Sequence, residues 1–411
     1  MLCALLMARE GIKVELIDEA ASIAGQSYAC GLHSRSLAIL REAGMHTNLL
    51  HAGRRIERLA FYEGAAPRAR IDFSAIIPDL PFMLVVPQDE LEAILERALA
   101  SAGVHIGWNH RLADLQQVPG GAIATVEELS GTATGYDVPR WETVVARTYK
   151  ISAEFVVGCD GHNSAVRRAA RIDFPTLSPP ELFVVYEFDT DAELMDEIRV
   201  VLNATDSNVM WPMSGRRCRW SFQWVETAPD GEFPGKERSH LWSENKGVAE
   251  RTRQHLEMLL KFRAPWFAGS IENVDWAVDV QFEHRLARRF GQDRCWLAGD
   301  AAHQTGPIGV QSMNVGMREA EMLARQIKKA LREAGSAAPL EEYQEQFRAE
   351  WQHLLGACSQ LVPAEPPKSQ GLSNTGSLLS CLPASGEELD AMLDQLGCRL
   401  QCFEPPTAQR R

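Results

Sequence analysis

Residues 295–327 read CWLAGDAAHQTGPIGVQSMNVGMREAEMLARQI and predict a strand, a glycine-bearing loop and a helix, in that order. The opening apolar run CWLA indicates a buried strand. Gly299 and Asp300 come next, and the helix is expected to begin near Asn314. We expect Gly335 to cap the C-terminus of this helix. Its apolar residues fall at i, i+3, i+4, i+7 and i+11 on one face: Ala320, Leu323, Ala324, Ile327 and Leu331.

This order of elements suits the binding of an anionic ligand. Glycines let the backbone approach a ligand closely, and the free N–H groups at a helix start favour negative charge. Asp300, expected at the carboxyl end of the strand, can accept hydrogen bonds from ligand hydroxyls. An ordinary strand-to-helix connection has the same spacing and is an equally good interpretation of this pattern alone.

Residues 2–18 predict the second half of a βαβ dinucleotide-binding unit. Residues 2–10 have the pattern of a helix with Gly11 as its cap, and residues 13–18, KVELID, alternate as a strand that ends at Asp18. The acidic residue at the end of such a strand usually binds the adenosine ribose hydroxyls. Asp18 is the candidate for that contact, with Glu19 as its rival and a solvated surface charge as the alternative.

A second acidic strand end lies at residue 160. Residues 155–158 predict a buried strand, after which come Cys159, Asp160 and Gly161, and a helix is expected to start at Ser164. A carboxylate and a glycine turn at this point can orient the helix towards the pyrophosphate region of a dinucleotide.

Three other helix starts carry predicted side-chain caps: Ser34 or Ser36, Asp89 with Glu92, and Ser385 with Glu388. We expect Gly44 to end the first of these helices. Gln88 lies just ahead of the second helix.

Together these segments resemble the motifs of the flavin-dependent aromatic hydroxylases, the single-component FAD monooxygenases similar to para-hydroxybenzoate hydroxylase. That family has Gly-Asp-Ala-Ala-His, then Pro-x-Gly, then Asn-x-Gly; this chain has GDAAH at 299–303, PIG at 307–309 and NVG at 314–316. The family's D-G-x-x-S-x-V-R motif matches residues 160–167, and GLHSRSL at 31–37 matches a further motif. Ser312 stands where the family usually has Gly, Glu319 where it usually has Asp, and Tyr28 where it often has Arg.

The resemblance implies an NAD(P)H-dependent FAD monooxygenase that hydroxylates an aromatic or similar electron-rich small molecule with O2, through a flavin C4a-hydroperoxide. Pro307 and Gly309 would border the peroxide site, and the helix start near Asn314 would stabilise negative charge on the reduced flavin. The catalytic side chains are not identified, and His33 and His303 are weak candidates for a base. The expected cofactor-binding residues are Asp18, Arg35, Gln88, Asp160, Gly161, Gly299, Asp300, Pro307, Gly309 and Asn314.

The first strand and the G-x-G-x-x-G turn of the dinucleotide unit do not precede Met1 in this sequence. Two interpretations stay open: the sequence begins within a longer protein, or the chain is a natural variant with impaired flavin binding. On either interpretation we expect the chain as given to hold FAD less tightly, because N–H donors to the pyrophosphate are missing.

The predicted fold class is α/β, with a Rossmann-like FAD-binding domain and an inserted β-rich substrate domain. We assign residues 1–175 and 281–360 to the first domain, residues 176–280 with a contribution from 56–82 to the second, and 361–411 to a linker, a short helix and a tail. Candidate pocket residues on the strands of the second domain are Trp211, Met213, Trp220, Phe222 and Trp224. The alternative for these side chains is plain core.

The composition and charge of the chain indicate which classes of binding partner to expect. A net charge of −13 argues against a nucleic-acid groove. The nine cysteines lack metal-binding spacing, so we expect no metal and a reducing compartment. No apolar run reaches about 18 residues, so we expect no membrane partner and a cytoplasmic location. A non-catalytic binding protein and a flavin halogenase or dehydrogenase remain alternatives, although no W-x-W-x-I-P motif of the halogenase type occurs.

Overall fold

The computed structural model describes residues 1–25, 31–76, 79–134, 140–225, 246–333, 336–364 and 377–403. The helices are α1 (Leu2–Arg9), α2 (Ser34–Glu42), α3 (His46–Ala52), α4 (Gln88–Ser101), α5 (Ala165–Ala169), α6 (Lys246–Arg263), α7 (Gln311–Arg332), α8 (Ala338–Leu354), α9 (Leu378–Cys381) and α10 (Glu387–Leu396). Among the helices in this part of the chain, none is both long enough and apolar enough to cross a membrane.

The strands are β1 (Leu16–Ile17), β2 (Gly31–Leu32), β3 (Arg54–Ile56), β4 (Arg58–Glu63), β5 (Ala66–Asp72), β6 (Met83–Val85), β7 (Ile106–Gly107), β8 (His110–Val118), β9 (Gly121–Thr134), β10 (Arg140–Ala153), β11 (Val156–Gly158), β12 (Thr176–Asp189), β13 (Glu197–Leu202), β14 (Ser207–Pro212), β15 (Arg217–Trp224), β16 (Val274–Leu286), β17 (Gly291–Gln292), β18 (Cys295–Leu297), β19 (His303–Gln304), β20 (Ser359–Pro363) and β21 (Cys398–Cys402).

Short parallel strands and the helices packed on them form the α/β layer. Strand β1 pairs in parallel with β7, and β11 pairs in parallel with β18. Parallel neighbours require crossover connections, which here include helices. Helix α1 packs against α4 and α7. This layer agrees with the Rossmann-like arrangement that the sequence predicts.

A second, larger sheet has eight strands in the order β19-β16-β12-β15-β14-β13-β4-β5. Its neighbours are antiparallel except β13 and β4, which run in parallel. The hairpin of β4 and β5 lies within residues 56–82, the segment expected to contribute to the substrate domain. The domain boundaries themselves stay a prediction.

The two faces of this sheet bury different side chains. Phe183, Val185 and Trp211 belong to the core shared with the α/β layer, whereas Val184 and Tyr186 belong to a separate core under α6. Successive side chains of a strand point to opposite faces, so apolar residues on both sides bury most of the central strands β13, β14 and β15.

The candidate pocket residues divide between these two faces. Trp220 and Phe222 lie in the core under α6, with their rings stacked 5.1 Å apart, and Trp224 lies beside His255 of α6. Trp211 belongs to the core of the opposite face. Strand alternation turns Trp220, Phe222 and Trp224 away from the α/β layer, which favours the core alternative for them, and their place in a substrate pocket stays a prediction.

The predicted helix caps at Ser34, Asp89 and Ser385 are wrong, and tertiary contacts take up the hydroxyls of Ser34 and Ser385. Helix α2 begins at Ser34 itself, and Ser34 Oγ donates to the carbonyl of Phe82, 48 residues away. Helix α4 begins at Gln88, before Asp89, with no side-chain cap. Helix α10 begins at Glu387, and Ser385 Oγ hydrogen-bonds a guanidinium of α7 instead.

Other predicted helix ends are confirmed. Gly11 and Gly44 follow α1 and α2 with φ of +79° each, the left-handed region that glycine tolerates. Ser164 caps α5, and its Oγ accepts the N–H of Arg167. Helix α7 begins at Gln311, somewhat earlier than predicted. The expected cap at Gly335, most of the predicted linker (365–376) and the tail beyond residue 403 lie outside the described residues.

We predict that Trp220→Ala lowers the free energy of unfolding by about 3–5 kcal/mol, because it leaves a cavity in the core under α6. Urea unfolding followed by circular dichroism measures this loss. Phe262→Ala, at a side chain that is 60% exposed, is the matched control and should change stability little. A stable Trp220→Ala protein with impaired ligand binding would instead support the pocket interpretation.

Candidate cofactor site

The Gly299–Asp300 turn follows β18 and is fixed by helix α7. Gly299 has a φ of +64° and open space where a side chain would project. Its N–H donates to Glu319 Oε2 at 2.7 Å. A Cβ on Gly316 would lie 3.1 Å from the Gly299 Cα, so the glycine at 316 lets the helix approach the turn this closely.

Asp300 presents its carboxyl to the exterior of this turn. The side chain is exposed, although protein atoms surround it closely. The resulting desolvation raises the pKa of Asp300, while the nearby His303 and His162 lower it. An accessible, partly desolvated carboxyl suits hydrogen bonding to ligand hydroxyls.

Beneath the turn, Glu319 accepts three converging donors. Besides the Gly299 N–H, His303 Nε2 lies 2.9 Å from the carboxylate and Trp351 Nε1 donates to it at 3.0 Å. The rings of His303 and Trp351 stack with centroids 3.9 Å apart. All three donors hold a carboxylate that is fully buried, so His303 positions the turn and its candidacy as a base loses support.

The Asp160–Gly161 turn lies at the carboxyl end of β11, next to β18. Asp160 Oδ2 accepts the N–H groups of Ala165 and Val166 at 2.6 and 3.1 Å, so this carboxylate caps α5. Gly161 has a φ of +71° and open space around it. A ligand would therefore meet the backbone of Gly161 more readily than the oxygen that Asp160 commits to the helix.

Arg167 joins the two turns and was not predicted as a site residue. Its guanidinium donates to the carbonyl of Ala301 at 2.8 Å and to the carbonyl of His162. It also lies 3.9 Å over the ring of Phe174. Arg167 belongs to the matched D-G-x-x-S-x-V-R motif. Its contact with Ala301 of the GDAAH motif depends on the tertiary fold and cannot be predicted from the sequence pattern.

Asn314 clamps the start of α7 to β2. Its Nδ2 donates to the carbonyls of Gly31 and Val310, each at 2.8 Å, and its Oδ1 accepts the N–H of His33 at 2.8 Å. Val310 adopts a left-handed φ of +50°, which these bonds help to hold. The Asn314 side chain is thus committed inside the protein.

His33 is the second candidate base, and the structure gives it a structural role. Burial lowers the pKa of His33 to about 3, so the ring is neutral. Its Nε2 lies 2.9 Å from the carbonyl of Gly309 and donates to it. His33 therefore holds the Pro307–Gly309 loop in place.

The remaining predicted contacts lie around this centre. Asp18 directly follows β1, is exposed, and accepts the N–H of Ala20 at 2.9 Å. Arg35 pairs with Glu321 on the outside of α7 at 2.9 Å. Gln88 Nε2 donates to a carboxylate one turn further along α4. These three stay predictions as ligand contacts, and Tyr28, the departure from the family pattern, lies outside the described residues.

The C-terminal segment 377–385 covers the Pro307–Gly309 loop, which the sequence did not predict. The N–H of Gly309 donates to the Ser380 carbonyl at 3.0 Å, and Gln311 Nε2 donates to the carbonyls of Leu379 and Leu382. A Cβ on Gly309 would lie 2.6 Å from the Leu382 oxygen. Only glycine fits between the loop and this segment.

On the sheet side, Trp211 and Met213 lie near the α/β layer, and their place in a substrate pocket stays a prediction. A Cβ on Gly31 would lie 2.9 Å from the Trp211 ring, so this ring packs directly on β2. Met213 lines an open cleft of about 510 Å³ together with Pro87, beside the start of α4. A second, much narrower cavity separates the Pro307–Ile308 loop from the sheet.

The parallel layer with glycine turns at its strand ends defines a dinucleotide-binding fold. The FAD-binding domain family matches residues 1–356, and the chain belongs to this family. FAD is thus the cofactor that the family assigns, and the residues present fit it. The open turns at Gly161 and Gly299 leave room for close approach, and the Asp300 carboxyl is accessible.

Similar proteins include several monooxygenases. Pentachlorophenol 4-monooxygenase of Sphingobium chlorophenolicum is 26% identical over 335 residues, 81% of this chain and 56% of that protein. The 12-dehydrotetracycline 5-monooxygenase/anhydrotetracycline 6-monooxygenase of Streptomyces rimosus is 26% identical over 417 aligned positions, covering 100% of this chain and 76% of that protein. The chain thus spans little more than half of the first relative.

Solved structures share the fold. The p-nitrophenol 4-monooxygenase of Pseudomonas putida DLL-E4 superposes with a TM-score of 0.68 at 21% identity, covering 85% of this chain and 82% of that one. Aklavinone-11 hydroxylase, solved with FAD and aklavinone, gives 0.63 at 20% identity, covering 86% of this chain and 65% of that one. The predicted fold class, a Rossmann-like FAD-binding layer with a β-rich sheet, is confirmed.

We predict that Glu319→Gln lowers the free energy of unfolding by about 1–3 kcal/mol and weakens FAD retention. The amide NH2 would face at least one of the three donors, leaving a buried group unsatisfied. Thermal melting with and without FAD measures both effects. Glu345→Gln, at an exposed position of α8, is the control. Unchanged melting and flavin content in Glu319→Gln would contradict the role assigned to this carboxylate.

We predict that Gly309→Ala displaces the C-terminal segment, because the added methyl group would overlap the carbonyls of Ser380 and Leu382. Hydrogen exchange across residues 377–385 should become faster. Gly25→Ala, where a methyl group meets open space, should leave this exchange unchanged. Equal exchange in both variants would show that the contact does not hold the segment.

Proposed function

We propose that the protein is an FAD-dependent monooxygenase that uses NAD(P)H and O2 to hydroxylate an aromatic or similarly electron-rich small molecule. The main support is the pair of open left-handed turns at Gly161 and Gly299, which follow the paired parallel strands β11 and β18. Ligands of such folds bind at the carboxyl ends of the strands. The similarity to named monooxygenases and hydroxylases supports the reaction class.

Bound FAD would supply the redox chemistry, taking hydride from NAD(P)H and activating O2. The chain would contribute binding, orientation and exclusion of water. Gly161 and Gly299 would let the dinucleotide approach the main chain closely. Asp300 would accept hydrogen bonds from hydroxyl groups of the dinucleotide. The N–H groups at the start of α7 would stabilise negative charge, and the Pro307–Gly309 loop would border the reacting ring.

The proposed domain division is the one predicted from the sequence. The FAD-binding domain comprises 1–175 and 281–360, and the substrate domain comprises 176–280 with a contribution from 56–82. Support comes from the parallel pairing of β13 with β4, which ties the hairpin Arg58–Asp72 into the large sheet. The packing of Trp211 on Gly31 brings this sheet against the α/β layer.

The test of the activity is aromatic-stimulated oxidation of NADH and of NADPH by the purified, FAD-loaded protein, with isotopically labelled O2. The expected result is one labelled oxygen atom in the product, together with oxidation that rises when the correct aromatic compound is added. Retention of an aromatic ligand without any oxidation would favour the non-catalytic binding protein. Oxidation without incorporation of label would favour a dehydrogenase or oxidase.

We predict that Asp300→Asn weakens FAD binding by about tenfold, because a charge-assisted hydrogen bond to a ligand hydroxyl is lost. Fluorescence titration of the apoprotein with FAD measures the dissociation constant. Asp114→Asn, an exposed residue on β8, is the matched control. Equal dissociation constants for the two variants would remove Asp300 from the cofactor site.

A further inference from the structure

A carboxylate on the large sheet faces the Pro307–Ile308 loop. Glu181 of β12 has its Oε2 3.2 Å from His284 Nε2 of β16, and its Oε1 accepts Gln223 Nε2 of β15 at 3.2 Å. Two side chains on neighbouring strands therefore hold this carboxylate in one orientation. The members of this group come from three separate strands, so no local sequence pattern predicts it.

The loop lies directly against this carboxylate. A Cβ on Gly306 would lie 3.0 Å from Glu181 Oε2, so glycine permits the close approach. Glu181 lines the same cavity as Pro307 and Ile308. The Glu181 side chain is 31% exposed, which leaves one side of the carboxylate free to meet a ligand.

Glu181 is the one acidic side chain among the described residues that line this cavity. Among the described residues that line it, there is no lysine or arginine. Arg219, on the same strand face as Gln223, is paired with Glu187 and buried, so it does not offset Glu181 for a ligand. A carboxylate accepts hydrogen bonds but cannot donate them, and it repels anions in a place of low dielectric.

We propose that Glu181, held by His284 and Gln223, is the residue that selects the substrate by accepting a hydrogen bond from a phenolic hydroxyl. The substrates are then uncharged phenols, and aromatic carboxylates are excluded by repulsion. This inference rests on the proposed function, because it assigns the ring to the cavity beside Pro307. A charge-assisted hydrogen bond of this kind is about twice as strong as a neutral one.

The cavity is narrow in this structure. The space open to the centres of water molecules is only about 10 Å³, and Ser380 of the C-terminal segment forms one wall. An aromatic ring needs more room than this, so binding of a ring here requires that segment to move outward. The probes for the test are therefore small single rings.

The test compares phenol, anisole and 4-hydroxybenzoate as probes of the FAD-loaded protein. Calorimetry gives the dissociation constant of each, and probe-dependent NAD(P)H oxidation gives KM and kcat. The unaltered protein should prefer phenol to both other probes by about tenfold or more. Glu181→Gln should raise the dissociation constant and KM for phenol by about tenfold. The preference of the protein for phenol over 4-hydroxybenzoate should therefore decrease.

Two further variants separate the charge of Glu181 from its packing. Glu181→Asp keeps the charge and should still exclude 4-hydroxybenzoate, while it binds phenol less well than the unaltered protein. Glu283→Gln removes a neighbouring carboxylate whose side chain points to the other face of β16, where it pairs with Arg285. The dissociation constants of Glu283→Gln for phenol, anisole and 4-hydroxybenzoate should match those of the unaltered protein.

The outcomes separate this inference from the proposed function. If Glu181→Gln binds all three probes as the unaltered protein does, the assignment of Glu181 is overturned, whatever the turnover. If the unaltered protein prefers phenol, Glu181→Gln loses that preference and neither oxidises NAD(P)H, the selection by Glu181 is supported and the monooxygenase proposal is contradicted. Tight binding of 4-hydroxybenzoate by the unaltered protein would also overturn the inference.

Discussion

The fully buried carboxylate of Glu319 fixes the part of the molecule on which the candidate site depends. Burial of a charge in protein is costly unless hydrogen bonds satisfy it. Here the Gly299 N–H, His303 and Trp351 converge on the two oxygens. These bonds tie α7 and α8 to the end of β18, and they determine where the neighbouring Asp300 carboxyl points.

From this anchor the site extends in two directions. Towards β11, Arg167 connects the Gly299 turn to the Gly161 turn through the Ala301 carbonyl. Towards the large sheet, Asn314 and His33 hold the Pro307–Gly309 loop, on which the C-terminal segment packs. The bonds of this second group are buried and involve main-chain partners, so the loop is held in one conformation between the sheet and the α/β layer.

Local patterns predicted much of this arrangement. The apolar face of α7, the glycine ends of α1 and α2, and the Ser164 cap depend on neighbours within a few residues, so the sequence shows them directly. The motif at 299–316 also identified the cofactor. The caps at Ser34 and Ser385 were wrong because their hydroxyls bond partners that only the folded chain brings close, and helix α4 begins one residue ahead of the cap predicted at Asp89.

The other differences between the sequence-based predictions and the structure also arise from contacts that only the folded chain makes. Trp220 and Trp211 both lie in apolar strands, and only the strand register shows that they face opposite sides of the sheet. Asn314 was expected to meet the ligand, but its amide is used inside the protein. Glu319, noted only as a departure from the usual Asp, reaches three donors that lie far apart in the sequence.

Hydrogen exchange with and without FAD tests the central claim, that the Glu319-anchored turn and the Asp160 turn together form the flavin site. With saturating FAD, amides of residues 158–166 and 297–303 and of the first turn of α7 should exchange more slowly. Amides of α6, under the opposite face of the large sheet, should exchange as before. Protection confined to other segments, or none at saturating FAD, would contradict this account.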